Sequence, residues 1–106
     1  MATARISMPT SAKSGDVIEI KTLVQHVMET GLRRDELGRA VPRDIINTLV
    51  VTYAGGEIFR MDLFPGVAAN PYIAFPTVAS VTGDVIFVWT DDRGTTLTET
   101  RRLTVT

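Results

Sequence analysis

The chain contains no cysteine and only one histidine. Without a thiol, it cannot form a disulfide, build a thiolate metal site, attack a substrate as a thiolate or carry sulfur as a persulfide. Structural zinc sites need four ligands and catalytic ones usually three, so a single histidine with no cysteine is a poor basis for a metal centre. These two shortages exclude most of the chemistry that a small domain can perform alone.

The chain also lacks an excess of either charge. It has 11 basic and 12 acidic residues and a formal net charge of -1, which provides no field to attract nucleic acid or an anionic membrane. No apolar run is long enough to cross a bilayer, and Met1–Pro9 has no apolar core of signal-peptide length. Taken alone, these features predict a cytoplasmic protein that binds neither nucleic acid nor membrane.

Hydrophobic residues alternate with polar ones through most of the chain, as in Ile18–Val24, and Ala54–Gly56 is a typical hairpin turn. A length of 106 residues suits one domain, residues 1–106, with one core. No amphipathic helix is indicated, so we predict an all-β, immunoglobulin-like antiparallel β-sandwich of about seven strands. The predicted strands are Ile6–Met8, Ile18–Val24, Ile45–Tyr53, Glu57–Leu63, Tyr72–Ala79, Val85–Thr90 and Thr95–Val105.

The strand Val85–Thr90 is almost continuously apolar, which predicts a central strand buried on both faces, with Trp89 in the core. The final strand is rich in threonine, and we expect its Glu99 and Arg101 to face outward. The segment Asp91–Gly94 is interpreted as a hairpin turn, because it lacks the spaced carboxylates of a calcium loop.

Between His26 and Arg43 the alternation stops, and we expect a long polar excursion rather than a tight hairpin. His26 lies near Glu29, a pairing that would suit acid-base chemistry or, with more ligands, a metal. No nucleophile or second base stands at a recognisable spacing, so we predict no catalytic, cofactor or metal site. Met28 and Leu32 are apolar in this polar segment, and each either tucks onto the sandwich or anchors a partner.

Arginine pairs occur at Arg33–Arg34 and Arg101–Arg102, where they either bind an oxyanion or form solvated faces. In Asn70–Tyr72 a tyrosine follows a stiff loop, and it too either packs onto the sandwich or anchors a partner. From the residues alone, the chain is a small β-sandwich that serves as a binding or scaffold domain, with its partner unspecified.

Several short sequence segments, in the order in which they occur, make this chain resemble the SoxZ family. Members of that family form one subunit of the SoxYZ sulfur-compound carrier of bacterial thiosulfate oxidation. The resemblance runs along nearly the whole chain, and one departure is Val27, where the family often has proline. The segments are Ser11–Leu23, His26–Gly31, Arg33–Asp35, Pro42–Arg43, Ile45–Asn47, Ala69–Tyr72, Trp89–Asp92 and Gly94.

The resemblance implies a non-catalytic subunit of a heterodimer, whose SoxY partner carries sulfur intermediates on a cysteine near its C-terminus. It also implies a periplasmic complex in which the partner bears the export signal, which replaces the cytoplasmic expectation. Transient docking of the Sox enzymes is expected, together with self-association of the isolated subunit through an uncovered apolar face. Protruding polar loops with apolar anchors are the expected partner contacts. The candidate residues are His26, Met28, Glu29, Thr30, Gly31, Asn70, Pro71 and Tyr72.

Two alternatives from other classes stay open on the residues alone. One is an autonomous immunoglobulin-like binding or adhesion domain, which would be a self-sufficient monomer. The other is a small metal-dependent enzyme that uses His26 and nearby carboxylates, and which would retain metal or turn over substrate without help.

Overall fold

The computed structural model of this protein describes residues 3–67 and 69–106. Met1 and Ala2, from the predicted N-terminal segment, and Ala68, from the connection before Tyr72, lie outside the described residues. No helix in the described ranges is long and apolar enough to cross a membrane. The strands are β1 (Thr3–Ser7), β2 (Ser11–Ala12), β3 (Val17–Gln25), β4 (Ile46–Tyr53), β5 (Gly56–Asp62), β6 (Tyr72–Val78), β7 (Gly83–Asp91) and β8 (Thr96–Val105).

These strands form two sheets that pack face to face. One has the order β1-β3-β6 and the other the order β2-β8-β7-β4-β5. Alternate residues of each strand point into the shared core, which follows from the two-residue period of a β-strand. Ile18, Ile20, Thr22 and Val24 are buried from the small sheet, as predicted for that face. Phe59 and Phe75 stack with ring centroids 4.2 Å apart, joining the large sheet to the small one.

The predicted immunoglobulin-like β-sandwich is therefore confirmed, and so is the β4–β5 hairpin across Ala54–Gly56. The described chain has eight strands rather than about seven, because the segment after Pro9 adds the two-residue strand β2. β2 runs parallel to β8, whereas the other pairings are antiparallel. A two-residue strand carries no readable alternation, so its pairing was not predictable from the pattern.

Two expectations about side-chain direction are wrong. Val85, Phe87 and Trp89 are buried, but Ile86 and Val88 are only half-buried, so β7 is central in its sheet without being covered on both faces. On β8, Glu99 is paired in register with Phe87, and Arg101 with Val85, so both project from the core-side face. β8 lies next to the edge strand β2 of the large sheet, and the side chains of Glu99 and Arg101 stay 33% and 39% exposed there.

One edge strand of the small sheet is β6, which contains Pro76. The N–H of Val24 donates to the carbonyl of Pro71, so residues 71, 73, 75 and 77 direct their backbone groups toward β3. The intervening residues direct theirs away from the sheet, and Pro76 is one of them. A proline is tolerated at this position because the N–H that it lacks would have faced outward.

The excursion between β3 and β4 is not an irregular loop. Residues 29–44, here called the arm, fold back on themselves as a narrow two-stranded ribbon. Glu29 and Asp44 exchange two backbone hydrogen bonds of 2.8 Å at its base, and Arg34 pairs with Ala40 near its tip. The molecule measures 59 × 20 × 18 Å. A ten-residue strand spans only about 33 Å, so the arm and the end loops account for much of the length.

Candidate functional site

The two segments predicted to contact a partner meet at one end of the sandwich. The backbone N–H of His26 donates to Asn70 Oδ1 at 2.9 Å, and the N–H of Asn70 donates to the carbonyl of His26 at 2.8 Å. The end of β3 and the start of β6 are neighbours in the small sheet, so His26 and Asn70 follow from adjacent strands. The sequence segments His26–Gly31 and Asn70–Tyr72 therefore form one continuous surface, here called the arm end.

His26 shapes the chain where it leaves β3. The N–H of Met28 donates to His26 Nδ1 at 3.0 Å, which closes a short turn between the two residues. Met28 has a φ of 52°, in the left-handed region that costs a non-glycine residue about 1–2 kcal/mol. Its side chain is only 4% exposed, and burial offsets that cost. The turn sends the Met28 side chain into the core and directs the following residues into the arm.

Three potential metal ligands meet beside this turn. His26, Asp44 and Asp91 bring one ligand atom each within 4.8 Å of one another, in a cleft of about 340 Å³ also lined by Arg93. His26 Nε2 is 3.8 Å from Asp44 Oδ1, which is buried without a hydrogen-bond partner among the described residues. Arg93 Nε lies 3.3 Å from the other Asp44 oxygen.

The hydrogen bonding of the cluster does not suit a cation. His26 Nδ1 accepts the Met28 N–H, so the neutral ring carries its proton on Nε2, the atom that faces Asp44. A metal at Nε2 would need the lone pair there and the proton on Nδ1, which would break the bond to Met28. Arg93 also supplies a positive charge to Asp44. The cluster is arranged as donors around a carboxylate.

Asp92 ties the arm to the large sheet. Its carboxylate accepts hydrogen bonds from Arg43 Nε at 2.7 Å and Nη2 at 3.0 Å, from Asn47 Nδ2 at 3.1 Å and from the N–H of Ile45 at 3.2 Å. Hydrogen bonds from Arg43, with further ones from Asn47 and Ile45, lower the pKa of Asp92 from 3.8 to about 2, although burial opposes the shift. Asp92 is therefore the main electrostatic anchor at the base of the arm.

The eight candidate residues differ in what they can offer a partner. Met28 and Pro71 are buried, and the His26 side chain is only 9% exposed. Glu29 is held by Arg33 Nη2 at 2.7 Å, and Thr30 Oγ1 accepts the N–H of Leu32 at 3.3 Å. These five residues build the arm end rather than presenting free side chains.

Of the remaining three candidates, Gly31 is half-buried, and Asn70 and Tyr72 are exposed. Gly31 has a φ of 85°, and a Cβ there would lie 3.0 Å from the Cβ of Arg43 across the ribbon, so the arm needs glycine at this position. Asn70 is exposed with a φ of 54°, and Tyr72 is 61% exposed. Met28 and Leu32, the two apolar residues of the polar excursion, therefore differ: Met28 tucks onto the sandwich, whereas Leu32 is 86% exposed.

Sequence reasoning missed Asp44, Asp91, Asp92 and Arg93. The signal that could have found them is topological. β4 begins and β7 ends at the same end of the large sheet, because the two strands are antiparallel neighbours. β3 belongs to the small sheet and ends at the same end of the sandwich, where His26 meets Asp44 and Asp91. Polar residues at those three strand ends had to meet around His26.

Solved structures of several proteins share this fold. The sulfur carrier protein SoxY from Chlorobium limicola f thiosulfatophilum is similar with a TM-score of 0.69 at 12% identity, covering 97% of this chain and 78% of that one. The superoxide reductase (neelaredoxin) from Ignicoccus hospitalis has a TM-score of 0.70 at 14% identity, over 98% and 80%. A putative superoxide reductase from Thermotoga maritima has 0.67 at 15%, over 97% and 85%. At these identities the likeness concerns the fold alone.

The fold and the arm end define a small immunoglobulin-like β-sandwich whose most distinctive surface is built from backbone turns and internal ion pairs. No curated protein sequence matches the chain. The profile of the family described as sulphur oxidation protein SoxZ matches residues 6–102, nearly the whole chain. The chain belongs to the SoxZ family, and it is a subunit of the Sox sulfur-oxidation system.

Proposed function

We propose that this chain is the non-catalytic subunit of a heterodimeric sulfur carrier in thiosulfate oxidation. Its partner is a SoxY-like subunit whose cysteine carries the sulfur intermediates. The chain stabilises that subunit and helps to present it to the Sox enzymes, which dock transiently. The proposal includes a periplasmic location reached by export together with the signal-bearing partner.

The observation that carries the proposal is the SoxZ family match over residues 6–102 in a sequence without cysteine. Covalent sulfur carriage through a disulfide or persulfide needs a thiolate, and this chain has none to supply. A single attachment point on the partner also avoids exchange of the cargo onto a second thiol. The solved SoxY carrier has the same fold, so two similar sandwiches would form the complex.

The arm end supports the assignment of a contact surface. It joins both predicted segments, and two hydrogen bonds between His26 and Asn70 hold those segments together. What it offers outward includes Tyr72, 61% exposed, and Val27, 73% exposed. Aromatic and apolar side chains on a rigid base are typical anchors of protein interfaces.

The first test is co-expression with the SoxY-like protein of the same source. A one-to-one complex that carries sulfur from thiosulfate on the partner's cysteine, and that supports turnover with reconstituted Sox enzymes, is the expected result. A solitary monomer that ignores this protein would refute the proposal and favour the autonomous binding domain. Cell fractionation that finds the complex in the cytoplasm would contradict the periplasmic location.

The second test concerns the surface. Tyr72→Ser together with Val27→Ser should weaken the heterodimer by roughly tenfold, because both side chains are exposed and neither supports the core. Val78→Ser is the matched control, since Val78 is also exposed on the outward face of β6 but lies at its other end. Equal affinities for the two variants would remove the arm end from the interface.

A further inference from the structure

We infer that the tip of the arm, with Leu32 and Leu37, lies across the sandwich of the cysteine-bearing partner and holds the heterodimer together. This inference rests on the proposed function, because it assumes that such a partner exists. Leu32 is 86% exposed and Leu37 is 75% exposed. Two leucines so exposed on a narrow projection are an unusual arrangement for an isolated domain.

Most charged side chains of the arm already pair within the chain. Arg33 pairs with Glu29 at 2.7 Å, and Arg39 pairs with Asp35 at 3.1 Å. Arg34 Nη1 donates to the carbonyl of Gly38 at 2.9 Å. Each of these arginines therefore already has an acceptor within the arm. The side chains that it leaves exposed include Leu32 and Leu37, with the carboxylate of Glu36 next to Leu37 in the chain.

The tip is held in shape by Asp35. Its Oδ1 accepts the N–H groups of Leu37 at 2.9 Å and of Arg39 at 3.0 Å, and its backbone N–H donates to the carbonyl of Arg39 at 2.9 Å. Hydrogen bonding by the N–H groups of Arg39 and Leu37 lowers the pKa of Asp35, so the carboxylate that organises the tip is ionised at neutral pH. A tip organised before binding loses little conformational entropy when it docks.

The dimensions of the arm match a partner of the same fold. From residue 29 to the turn at residue 36 the ribbon can reach about 23 Å at 3.3 Å per residue. This chain measures 20 × 18 Å along its two shorter axes, and the solved SoxY carrier shares its fold with a TM-score of 0.69. An arm of this length can therefore cross one face of such a partner. Its base is the arm end, so the two contacts would form one continuous interface.

The test compares the purified heterodimer carrying Leu32→Ser and Leu37→Ser with the unchanged heterodimer. We expect the dissociation constant to rise at least tenfold, or about 1.4 kcal/mol. The matched control is Val17→Ser with Val81→Ser, which removes side chains 72% and 52% exposed at the opposite end of the sandwich. Circular dichroism and urea unfolding of the lone subunit show whether either variant alters the fold. Neither pair supports the core.

The outcomes separate this inference from the proposed function. If the unchanged chain binds no cysteine-bearing partner, the proposed function itself fails. If it binds and the arm variant binds equally well, only the arm inference is overturned. Loss of turnover with unchanged heterodimer affinity would overturn it in favour of an enzyme as the occupant. If the arm variant loses only its self-association, the inference is overturned and the occupant is a second copy of this chain.

Discussion

Replacing Asp92 with asparagine tests whether the base of the arm is held electrostatically. The carboxylate accepts four hydrogen bonds, two of them from the guanidinium of Arg43. Asparagine keeps the size and one acceptor oxygen but loses the charge. We expect Asp92→Asn to lower the free energy of unfolding at neutral pH and to loosen the arm.

The magnitude follows from the pKa of Asp92, which falls from 3.8 to about 2 on folding. Each pKa unit corresponds to about 1.4 kcal/mol, so the charged form is favoured in the folded state by at most about 2.5 kcal/mol. The Asp92 side chain is 17% exposed and that of Arg43 is 45% exposed, so solvent screening reduces this value. We expect a loss of about 1–2 kcal/mol for Asp92→Asn.

The pH dependence has a defined sign. Because the pKa is lower in the folded state, the unfolded chain binds the proton first, and acid favours unfolding. The contribution of Asp92 is fully present above about pH 4 and is lost as the pH falls toward 2. Urea unfolding at pH 7, 4, 3 and 2.5 should therefore show the difference between the unchanged chain and Asp92→Asn shrinking with acid.

Asp84→Asn is the control for this experiment. Asp84 pairs with Arg102 at 3.2 Å, but both side chains are more than half exposed, so its loss should cost less than about 0.5 kcal/mol. The reasoning is refuted if Asp92→Asn costs no more than Asp84→Asn at pH 7. It is also refuted if the Asp92→Asn difference is the same at pH 2.5 as at pH 7.

Three further substitutions and one measurement test other parts of the structure. Gly83→Ala should lower the free energy of unfolding in urea by about 1–3 kcal/mol, because the new Cβ would lie 2.9 Å from the Cβ of Ala54. Adding Ala54→Gly should recover at least half of that loss. If the effects of the two substitutions simply add, the steric explanation is wrong. Tyr53→Phe should lower the free energy of unfolding by about 1–2 kcal/mol. The reason is that the hydroxyl accepts the N–H groups of Ser80 and Val81 and donates to the Val81 carbonyl. An unchanged stability would show that these bonds do not matter. Thr22→Val should cost about 1 kcal/mol, because the buried hydroxyl donates to the Ile73 carbonyl at 2.9 Å, and a stabilised variant would count against it. Sedimentation of the isolated subunit over a dilution series should show reversible self-association, and a monomer at all concentrations would rule it out.

Much of the sandwich could be predicted because alternation reports directly on which face of a strand is buried. The alternation predicts one buried face of β3, and that face lies in the core with Ile18, Ile20, Thr22 and Val24. The pattern misled at Ile86 and Val88, where β-branched residues suit a pleated surface whether or not another layer covers it. Hydrophobicity alone cannot separate a central strand from a strand covered on both faces.

The arm and the site were harder to predict for a different reason. The ribbon is built by isolated backbone bridges and by carboxylates that cap turns, and neither leaves a periodic signal. The fates of Met28 and Leu32 diverge because Met28 adopts a left-handed φ of 52°, which turns its side chain inward. The partners of His26 come from strand ends far apart in the chain, so they could be found only once the sheet order was known.

Pro76 has a consequence for how copies of this protein coexist at high concentration. An open sheet edge is a template on which another chain can add a strand, and repetition of that event produces fibres. At the middle of β6 the outward position that would donate a hydrogen bond is occupied by a residue without an N–H. An incoming strand therefore meets a gap in the ladder, and edge-to-edge polymerisation through β6 is interrupted at its first step.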